Sequence, residues 1–319
     1  MAHPRQRFIL PFALTTAILA VSTSSIFIRF AQQDAPSLVI AALRLTFATL
    51  LLAPVVWSRH REELKNLTRH EVILGFVSGS FLAVHFATWI TSLEFTSVAS
   101  SVVFVSTGPL WVALLSPVFL GEQLERSALL GLGIAILGGT IIGMSDACRW
   151  DRGLICPNLG QIMQGRAIWG NFLALAGAWT VSGYLIIGRK LRTKMPLLPY
   201  IFLVYGISAI VLIFFMLASG QSPSGYPVRT YGWIFLLAFF PQLIGHSTYN
   251  WVLRYIPATL VAIITLVEPL ASAILAYMVL SEIPSRAVLL GGLLILVGIY
   301  LSSRHGRPRL SQVPPGPVT

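Results

Sequence analysis

Charged residues are scarce in this 319-residue chain: they make up 10% of it, whereas hydrophobic residues make up 55%. A soluble globular protein carries about 25% charged residues, so this sequence has too few to cover a water-facing surface. The scarcity of charge therefore excludes an ordinary soluble domain. It predicts a polytopic membrane protein, because about 20 mostly apolar residues cross a bilayer and the chain supplies that length many times over.

Cysteines and metal-ligand motifs are equally scarce. The chain has two cysteines, Cys148 and Cys156, and contains neither a CxxC nor an HExxH motif. No metal or other cofactor is predicted. The two cysteines share one loop, and whether they form a disulfide is left open, because that depends on the compartment that the loop faces.

The net charge of +11 does not indicate nucleic-acid binding. A basic patch can be the footprint of a nucleic-acid partner. Here the basic residues fall in short clusters between apolar runs, which is the pattern of membrane topology signals. We therefore predict that the protein is embedded in a lipid bilayer and that it has no nucleic-acid partner.

Ten apolar runs, separated by short polar or charged breaks, predict ten membrane-spanning helices. They lie at roughly 8–29, 37–57, 71–92, 97–119, 127–145, 168–188, 197–218, 230–252, 257–280 and 286–303. The first run follows a basic start, as in a signal peptide, but we interpret it as a span because many spans follow and no clear cleavage site closes it.

Lysine and arginine counts give the direction of these spans. With the N-terminus in the cytoplasm, fifteen of the 22 basic residues fall on the inner side, six on the outer side, and Arg44 inside a span. The positive-inside rule then places both termini in the cytoplasm. The Cys148–Cys156 loop falls outside.

The two halves of the chain align without a gap at an offset of 160 residues. Pro109 meets Pro269, Glu122 meets Glu282 and Gly131 meets Gly291. The same shift pairs Leu110 with Leu270, Arg126 with Arg286, Gly138 with Gly298 and Arg29 with Arg189. The predicted organisation is a first five-helix repeat, an extracytoplasmic linker, a second five-helix repeat and a disordered cytoplasmic tail. These units cover 1–145, 146–167, 168–303 and 304–319.

Because each half has an odd number of spans, the second copy must enter the membrane with the opposite orientation. The predicted fold is thus an all-α membrane protein of two inverted repeats, an architecture typical of secondary transporters, which place their site near the midplane. Some channels share it, so coupled transport does not follow from the repeat alone.

Three stretches give the sequence a family resemblance. They are "AALRLTFATLLLAP", "ITSLEFTSVASSVVFVSTGPLWVALLSPVFLGEQL" and "LVEPLASAILAYMVLSEIPSRAVLLGGLLILVGIYL". In order and spacing they resemble the EamA-type carriers of the drug/metabolite transporter superfamily, in two copies over nearly the whole chain. The resemblance implies a ten-helix inner-membrane carrier that exports or imports small metabolites such as amino acids or drugs. It does not imply a particular substrate.

Glu268 is the leading candidate for a functional residue. It lies about twelve residues into a span of about 24, some 16–18 Å deep, and ionisable residues at that depth are functional by default. A titrating carboxylate there would suit proton-coupled exchange. The alternative is a packing residue beside the break at Pro269. Its repeat partner is Gly108, so such a site would be asymmetric.

Arg44 lies about seven residues into the second span, where it needs a partner. It could bind an anionic group of a substrate, as arginine forks do. It could instead pair with Glu268 or with backbone carbonyls.

His85 and His246 are near-equivalents under the repeat, one residue off register. Trp89 shares a helix face with His85, and Tyr249 and Asn250 follow His246. In the family fold these spans line the central cavity, so the resemblance implies cavity-lining residues that bind an amphipathic substrate or relay protons. Hydrogen bonding between helices is the alternative.

Pro109 and Pro269 break repeat-related helices at corresponding depth, so they are hinge candidates, although static kinks explain them equally well. We interpret Glu122–Arg126 and Glu282–Arg286 as i,i+4 pairs that staple helix ends. The glycines near Gly131 and Gly291 allow close helix contact, inside one chain or between two. The chain is accordingly a monomer or a homodimer.

The predicted function is alternating-access transport of small organic solutes, with proton coupling and export left open. A passive channel is one alternative, although it would need polar rings through its bore, whereas these spans are mostly apolar. An integral-membrane enzyme acting on lipid-linked substrates is another. The loops hold scattered acids and no nucleophile–base pair or metal set, so no enzyme activity is predicted.

Overall fold

The computed structural model describes residues 4–120, 126–147, 149–150, 154–155, 165–252, 254–255, 265 and 267–303. Nearly all of these residues are helical, as predicted. The described part contains one pair of short strands in the linker, Arg149–Trp150 (β1) and Leu154–Ile155 (β2), which run antiparallel. Cys148 and Cys156 lie outside the described residues.

The helices follow the two halves of the sequence. The first half forms α1 Pro4–Ser22, α2 Ser24–Ala31, α3 Ser37–Arg59, α4 Arg61–Lys65, α5 Arg69–Ser92, α6 Val98–Val105, α7 Gly108–Leu120 and α8 Arg126–Ala147. The second half forms α9 Arg166–Arg192, α10 Leu197–Ala218, α11 Val228–Leu237, a π-helical segment Ala238–His246, α12 Ser247–Val252, α13 Val267–Leu280 and α14 Arg286–Ser303.

Five helical stretches of the described chain are long and apolar enough to cross a membrane, with lengths of 22 to 27 residues. At 1.5 Å per residue they measure roughly 33 to 40 Å, more than the hydrocarbon core of a bilayer. They are Ile9–Ala31, Ser37–Arg59, Arg69–Ser92, Arg166–Arg192 and Leu197–Ala218. Shorter apolar helices occupy the positions of other predicted spans, so the count of ten remains a prediction.

The first of these stretches belongs to the helical bundle. Helix α1 packs against the π-helical segment, α12 and α13, and α2 packs against α11. Leu14 and Val21 from α1 form a buried cluster with Tyr249 and Val252. These contacts agree with the interpretation of the apolar N-terminal run as a span.

The helix contacts follow the 160-residue repeat. Helix α3 packs against α10, its counterpart, and α8 packs against α14, its counterpart. Helix α5 packs against α9, and the counterparts of these two helices, α11–α12 and α1–α2, also pack against each other. The core thus has a two-repeat layout, with its largest buried cluster centred on α3, α5 and α10.

Glycines bring α8 and α14 into backbone contact. A Cβ built on Gly138 would lie 2.4 Å from the carbonyl oxygen of Gly291, and one built on Gly298 would lie 2.4 Å from that of Gly131. Residue number rises along one helix as it falls along the other, so the two run antiparallel. Each contact is the repeat image of the other, as a two-fold axis requires. These glycines therefore pack within the chain.

The predicted Glu282–Arg286 pair does not form. Helix α13 ends at Leu280, and Ser281 adopts a positive φ of 56°, so 282 and 286 do not share one helical turn. Glu282 instead contacts Arg29, with 3.1 Å between its Oε1 and Arg29 Nη2, and its Oε2 accepts a 2.9 Å hydrogen bond from Val98 N. Glu122 lies outside the described residues, so its pairing with Arg126 stays a prediction.

A second ion pair joins loops on the same face. Arg229 donates two hydrogen bonds to the Asp34 carboxylate, at 2.9 and 3.1 Å, and Thr230 Oγ1 donates a third at 2.7 Å. These bonds favour the charged form, so they lower the pKa of Asp34 from its ordinary value of 3.8. The start of α11 is thereby tied to the loop between α2 and α3.

Candidate functional site

A cavity of about 130 Å³ lies between the two halves of the bundle. We call it the central cavity. Its walls come from α1–α2, α5, α6 and α7 in the first half and from α9, α12, α13 and the end of the π-helical segment in the second. Most of the lining is apolar, as in small-molecule sites. Of the residues predicted as binding or coupling candidates, the cavity brings together His85, Trp89, His246, Tyr249, Asn250 and Glu268.

A break in the fourth predicted span opens backbone to this cavity. Helix α6 ends at Val105 and α7 begins at Gly108, and Ser106, Gly108 and Pro109 all line the cavity. Proline at the start of a helix needs no N–H partner and so suits such a break. Ser182 Oγ on α9 donates a 2.9 Å hydrogen bond to Gly108 O, which satisfies a carbonyl near the break.

Glu268 is the one formally charged side chain among the described residues that line the cavity. It lies in the first turn of α13, where its backbone N–H donates a 2.9 Å bond to Thr265 O. Its side chain is partly buried and accepts a short hydrogen bond from the Tyr249 hydroxyl through Oε1. Pro269, its buried neighbour, lies in the same turn, and Gly108, its repeat partner, lines the same cavity.

His85 both lines the cavity and joins two helices, so its two interpretations are compatible. Its Nδ1–H donates to Gly177 O on α9 at 2.9 Å, because a carbonyl can only accept. In a neutral imidazole only one nitrogen carries a proton, so Nε2 is the hydrogen-bond acceptor in this tautomer. Trp89 stacks on this ring with centroids 5.9 Å apart, and the Trp89 side chain is buried at 6% exposure. Its Nε1 has no hydrogen-bond partner among the described residues.

The π-helical segment ends at His246, which lines the cavity one residue out of register with His85. A π-helix closes i→i+5 hydrogen bonds, so it turns later residues away from their α-helical directions. This gives a physical reason why the two histidines reach one cavity despite the offset. The His246 ring lies edge-on to Phe86, 5.5 Å away, and to Tyr249, 6.4 Å away.

Asn250 connects the cavity wall to a buried polar cluster. Its side chain exchanges hydrogen bonds with the Tyr184 hydroxyl, at 2.6 and 2.8 Å, and donates one to His246 O at 2.9 Å. Tyr184 also lines the cavity. Tyr184, Ser25 and Ser272 could not be predicted from the sequence, because single polar residues on apolar helices carry no spacing signal.

Arg44 lies outside the lining of the central cavity. It is fully buried, its guanidinium carbon lies 4.0 Å from the centre of the Phe86 ring, and its Nε donates a 2.9 Å hydrogen bond to Gln242 Oε1. The structure thus gives it an amide and an aromatic face as neighbours, rather than Glu268.

Polar contacts join three helices near Arg29. Arg29 Nη2 contacts Glu282 and also donates a 3.0 Å hydrogen bond to Thr96 O, while Glu282 accepts from the first N–H of α6. We call this cluster the Arg29–Glu282 latch. It joins the end of α2, the start of α6 and the end of α13, so the three helices that flank the cavity converge there.

No three His, Cys, Asp or Glu side chains in the described part of the chain are grouped to hold a metal ion. The chemistry that the cavity offers is one carboxylate, two imidazole rings, aromatic faces and a few hydroxyl and amide groups. This set can bind and orient a small solute.

Comparison with known proteins agrees with this architecture. The model of the EamA-like transporter family matches residues 8–144 and again residues 168–304. An uncharacterized transporter of Archaeoglobus fulgidus is 22% identical over 294 residues, which are 92% of this chain and 96% of the relative. A probable terminal-alkyne amino-acid exporter of Streptantibioticus cattleyicolor is 24% identical over 213 residues, or 66% of each chain.

A solved crystal structure shows the same fold. It superposes with a TM-score of 0.64 at 17% identity and covers 92% of this chain and 96% of its own. The two matches to one family model, together with the apolar helices, agree with the resemblance seen in the sequence. The chain is a membrane protein of the EamA-like transporter family, within the drug/metabolite transporter superfamily.

Proposed function

We propose that this protein is a secondary carrier that moves small organic solutes across the cytoplasmic membrane by alternating access, as a proton-coupled exporter. Both termini lie in the cytoplasm and ten spans form two inverted repeats, over 1–145 and 168–303, with an outer linker between them. The observation that carries the proposal is the central cavity, because both repeats contribute its walls and Glu268 lines it.

Alternating access is supported by the way the two halves meet. Equivalent helices α8 and α14 cross antiparallel, and each crossing contact is the repeat image of the other. A bundle with this symmetry can adopt two related states, each open to one side, by rocking about the cavity. The latch joins helices of both halves on the face that the positive-inside rule assigns to the outside.

The solute class is supported by cavity size and by the relatives. About 130 Å³ is below the roughly 300–1,000 Å³ of drug-sized sites, which favours small metabolites. One relative is named as a probable amino-acid exporter, so amino acids belong at the head of a test panel.

Solute movement against a concentration gradient tests the carrier proposal. Purified protein in proteoliposomes is expected to accumulate at least one member of a metabolite panel when a pH gradient is imposed, and to show counterflow. Protein-free liposomes are the control. Flux that only ever runs down the solute gradient, without counterflow, would indicate a channel.

Opening of the latch is a second expectation. Arg29→Ala removes a partly buried ion pair worth up to about 1 kcal/mol, so the outward-open state should gain up to about fivefold in population. Labelling of Ser106→Cys by a membrane-impermeant thiol reagent, in a Cys148→Ser/Cys156→Ser background, measures this from outside. Arg286→Ala is the matched control, since the described residues give Glu282 its ion pair with Arg29 instead. Equal labelling of both variants contradicts the latch.

A further inference from the structure

A second cavity, of about 360 Å³, lies beside the Arg29–Glu282 latch. It shares no lining residue with the central cavity, although α6 and α13 contribute walls to both. Its other walls come from the end of α2, the turn after α13 and the start of α14. We call it the latch cavity. Its volume lies within the roughly 300–1,000 Å³ of small-molecule sites.

Small side chains leave the space of the latch cavity open. Helix α6 lines it with Ala99, α13 lines it with Ala273 and Ala276, and Val288 of α14 lies beside them. Ala99, Ala276 and Val288 are each at most 8% exposed, so they belong to the packed interior. We call these four residues the alanine floor. Such a floor can take the apolar part of a small solute out of water.

Glu282, one of the two charged residues that line the latch cavity, has little capacity left for a ligand. Its Oε1 lies 3.1 Å from Arg29 Nη2, and its Oε2 accepts a 2.9 Å hydrogen bond from Val98 N. Both carboxylate oxygens are therefore engaged within the protein. A ligand in this cavity is not held mainly by this carboxylate.

Arg29, the other charged residue of the lining, has donors to spare. Its bonds to the described residues, with Glu282 and with Thr96 O, all use Nη2. Nη1 carries two further N–H groups, which have no bond to the described part of the chain. The side chain is 26% exposed and lines the cavity, so a solute can reach it.

A carboxylate is the group that these donors suit best. Arginine binds carboxylates through two parallel hydrogen bonds, and such bonds are stronger than those to a neutral acceptor. Glu282 already holds one nitrogen of Arg29, and two carboxylates on one guanidinium repel each other. A carboxylate that enters the latch cavity must therefore compete with Glu282 for Arg29.

We propose that the latch cavity is a second solute site, separate from the central cavity. It binds the carboxylate of a small solute at Arg29, in competition with Glu282, and the apolar part of the solute against the alanine floor. The ligand class is a carboxylic acid with a short apolar chain. This assignment goes beyond the proposed carrier function, because it concerns a site outside the central cavity.

Thermal stabilisation of the purified full-length protein in detergent tests the carboxylate. The probes are pentanoate and the neutral pentanamide, which have the same chain. A partly exposed charge pair is worth up to about fivefold in affinity, so pentanoate should bind about fivefold more tightly than pentanamide. Equal binding of the two probes to the wild type would overturn the proposal.

A comparison of pentanoate with acetate tests the alanine floor. Each methylene that leaves water is worth roughly fourfold in affinity, so pentanoate, with three more, should bind at least about tenfold more tightly. Ala273→Leu fills part of the cavity and should remove most of this gain. A gain that is unchanged in Ala273→Leu would show that the chain does not lie on this floor.

Arginine variants locate the charge effect. Arg29→Gln should abolish the preference for pentanoate over pentanamide. Arg286→Gln is the matched control, because Arg286 begins α14 nearby and is not part of the lining, and it should keep the preference. A preference that survives in folded Arg29→Gln protein, or that is lost equally in Arg286→Gln, would refute the assignment. Ala273→Leu tests the same cavity if Arg29→Gln does not fold.

Glu282→Gln tests the competition. Glutamine can still accept from Val98 N, but it no longer holds Arg29 by charge. Pentanoate should therefore bind several-fold more tightly to this variant than to the wild type. If Glu282 only shaped the cavity, its replacement would leave binding unchanged or weaken it, and either result would refute the competition.

Glu268→Gln separates the latch cavity from the central one. Glu268 lines the central cavity and not the latch cavity, so the preference for pentanoate should stay as in the wild type. Loss of the preference in this variant would place pentanoate in the central cavity and refute the inference. Counterflow is not part of these measurements, so its absence would refute the carrier proposal alone.

Discussion

Accumulation driven by a pH gradient is expected to fall to the level of protein-free liposomes when Glu268 is replaced by Gln. Glutamine has nearly the same shape, and Tyr249 can still donate to its oxygen, so the wall of the cavity is preserved. What is lost is the one formal charge in the described lining, and with it a group that can take up and release a proton. The measurement is uptake in proteoliposomes across a metabolite panel, with and without the imposed gradient.

Two controls make that result interpretable. Glu63→Gln changes an exposed carboxylate that is not part of the cavity lining, and this variant should transport as the wild type does. Counterflow without a pH gradient shows whether the Glu268→Gln protein still binds and moves solute. Equal gradient-driven uptake by wild type and Glu268→Gln would reduce Glu268 to a packing residue and leave the family assignment untouched.

Gly138→Ala is expected to destabilise the protein by about 1–3 kcal/mol, the usual cost of overpacking a tight contact. The added Cβ would lie 2.4 Å from the backbone oxygen of Gly291 and 3.0 Å from the side chains of Leu294 and Ile295. A backbone oxygen cannot turn aside as a flexible side chain can, so α8 and α14 would have to separate. The thermal midpoint and the monodisperse fraction in detergent measure this.

Gly133→Ala is the matched control for that substitution. Gly133 lies on the same helix, five residues away, and a Cβ built on it meets nothing within 4 Å. It carries the same added methyl and the same change in helix propensity without the contact. Equal stability of the two variants would show that the crossing of α8 and α14 does not depend on the close approach of their backbones.

The class of protein could be predicted from composition, because a bilayer requires long apolar helices and leaves little room for charge. The two-repeat layout could be predicted from the constant offset of 160 residues. Glu268 was identified because an ionisable residue deep in an apolar span is costly and therefore conspicuous. Each of these inferences depends on properties that a residue keeps wherever it lies in space.

Partners across the fold could not be predicted in the same way. Sequence spacing paired Glu282 with Arg286, but the helix ends between them and Arg29 takes the place. The spacing rule assumes a continuous helix, and one residue of positive φ removes that assumption. Arg44 likewise had no neighbour that spacing could predict; the structure places Gln242 and the Phe86 ring beside it, and its role towards a substrate stays a prediction.

The sequence by itself determined that this is an apolar, helical, duplicated chain with a carboxylate inside one long apolar run. Those features follow from the solvent, from periodicity and from internal similarity. Only the tertiary structure decided that His85, His246, Tyr184 and Glu268 line one cavity while Arg44 does not. The reason is that the direction of a side chain depends on breaks such as Ser106–Thr107 and on the π-helical segment, and these are set by packing against helices distant in sequence.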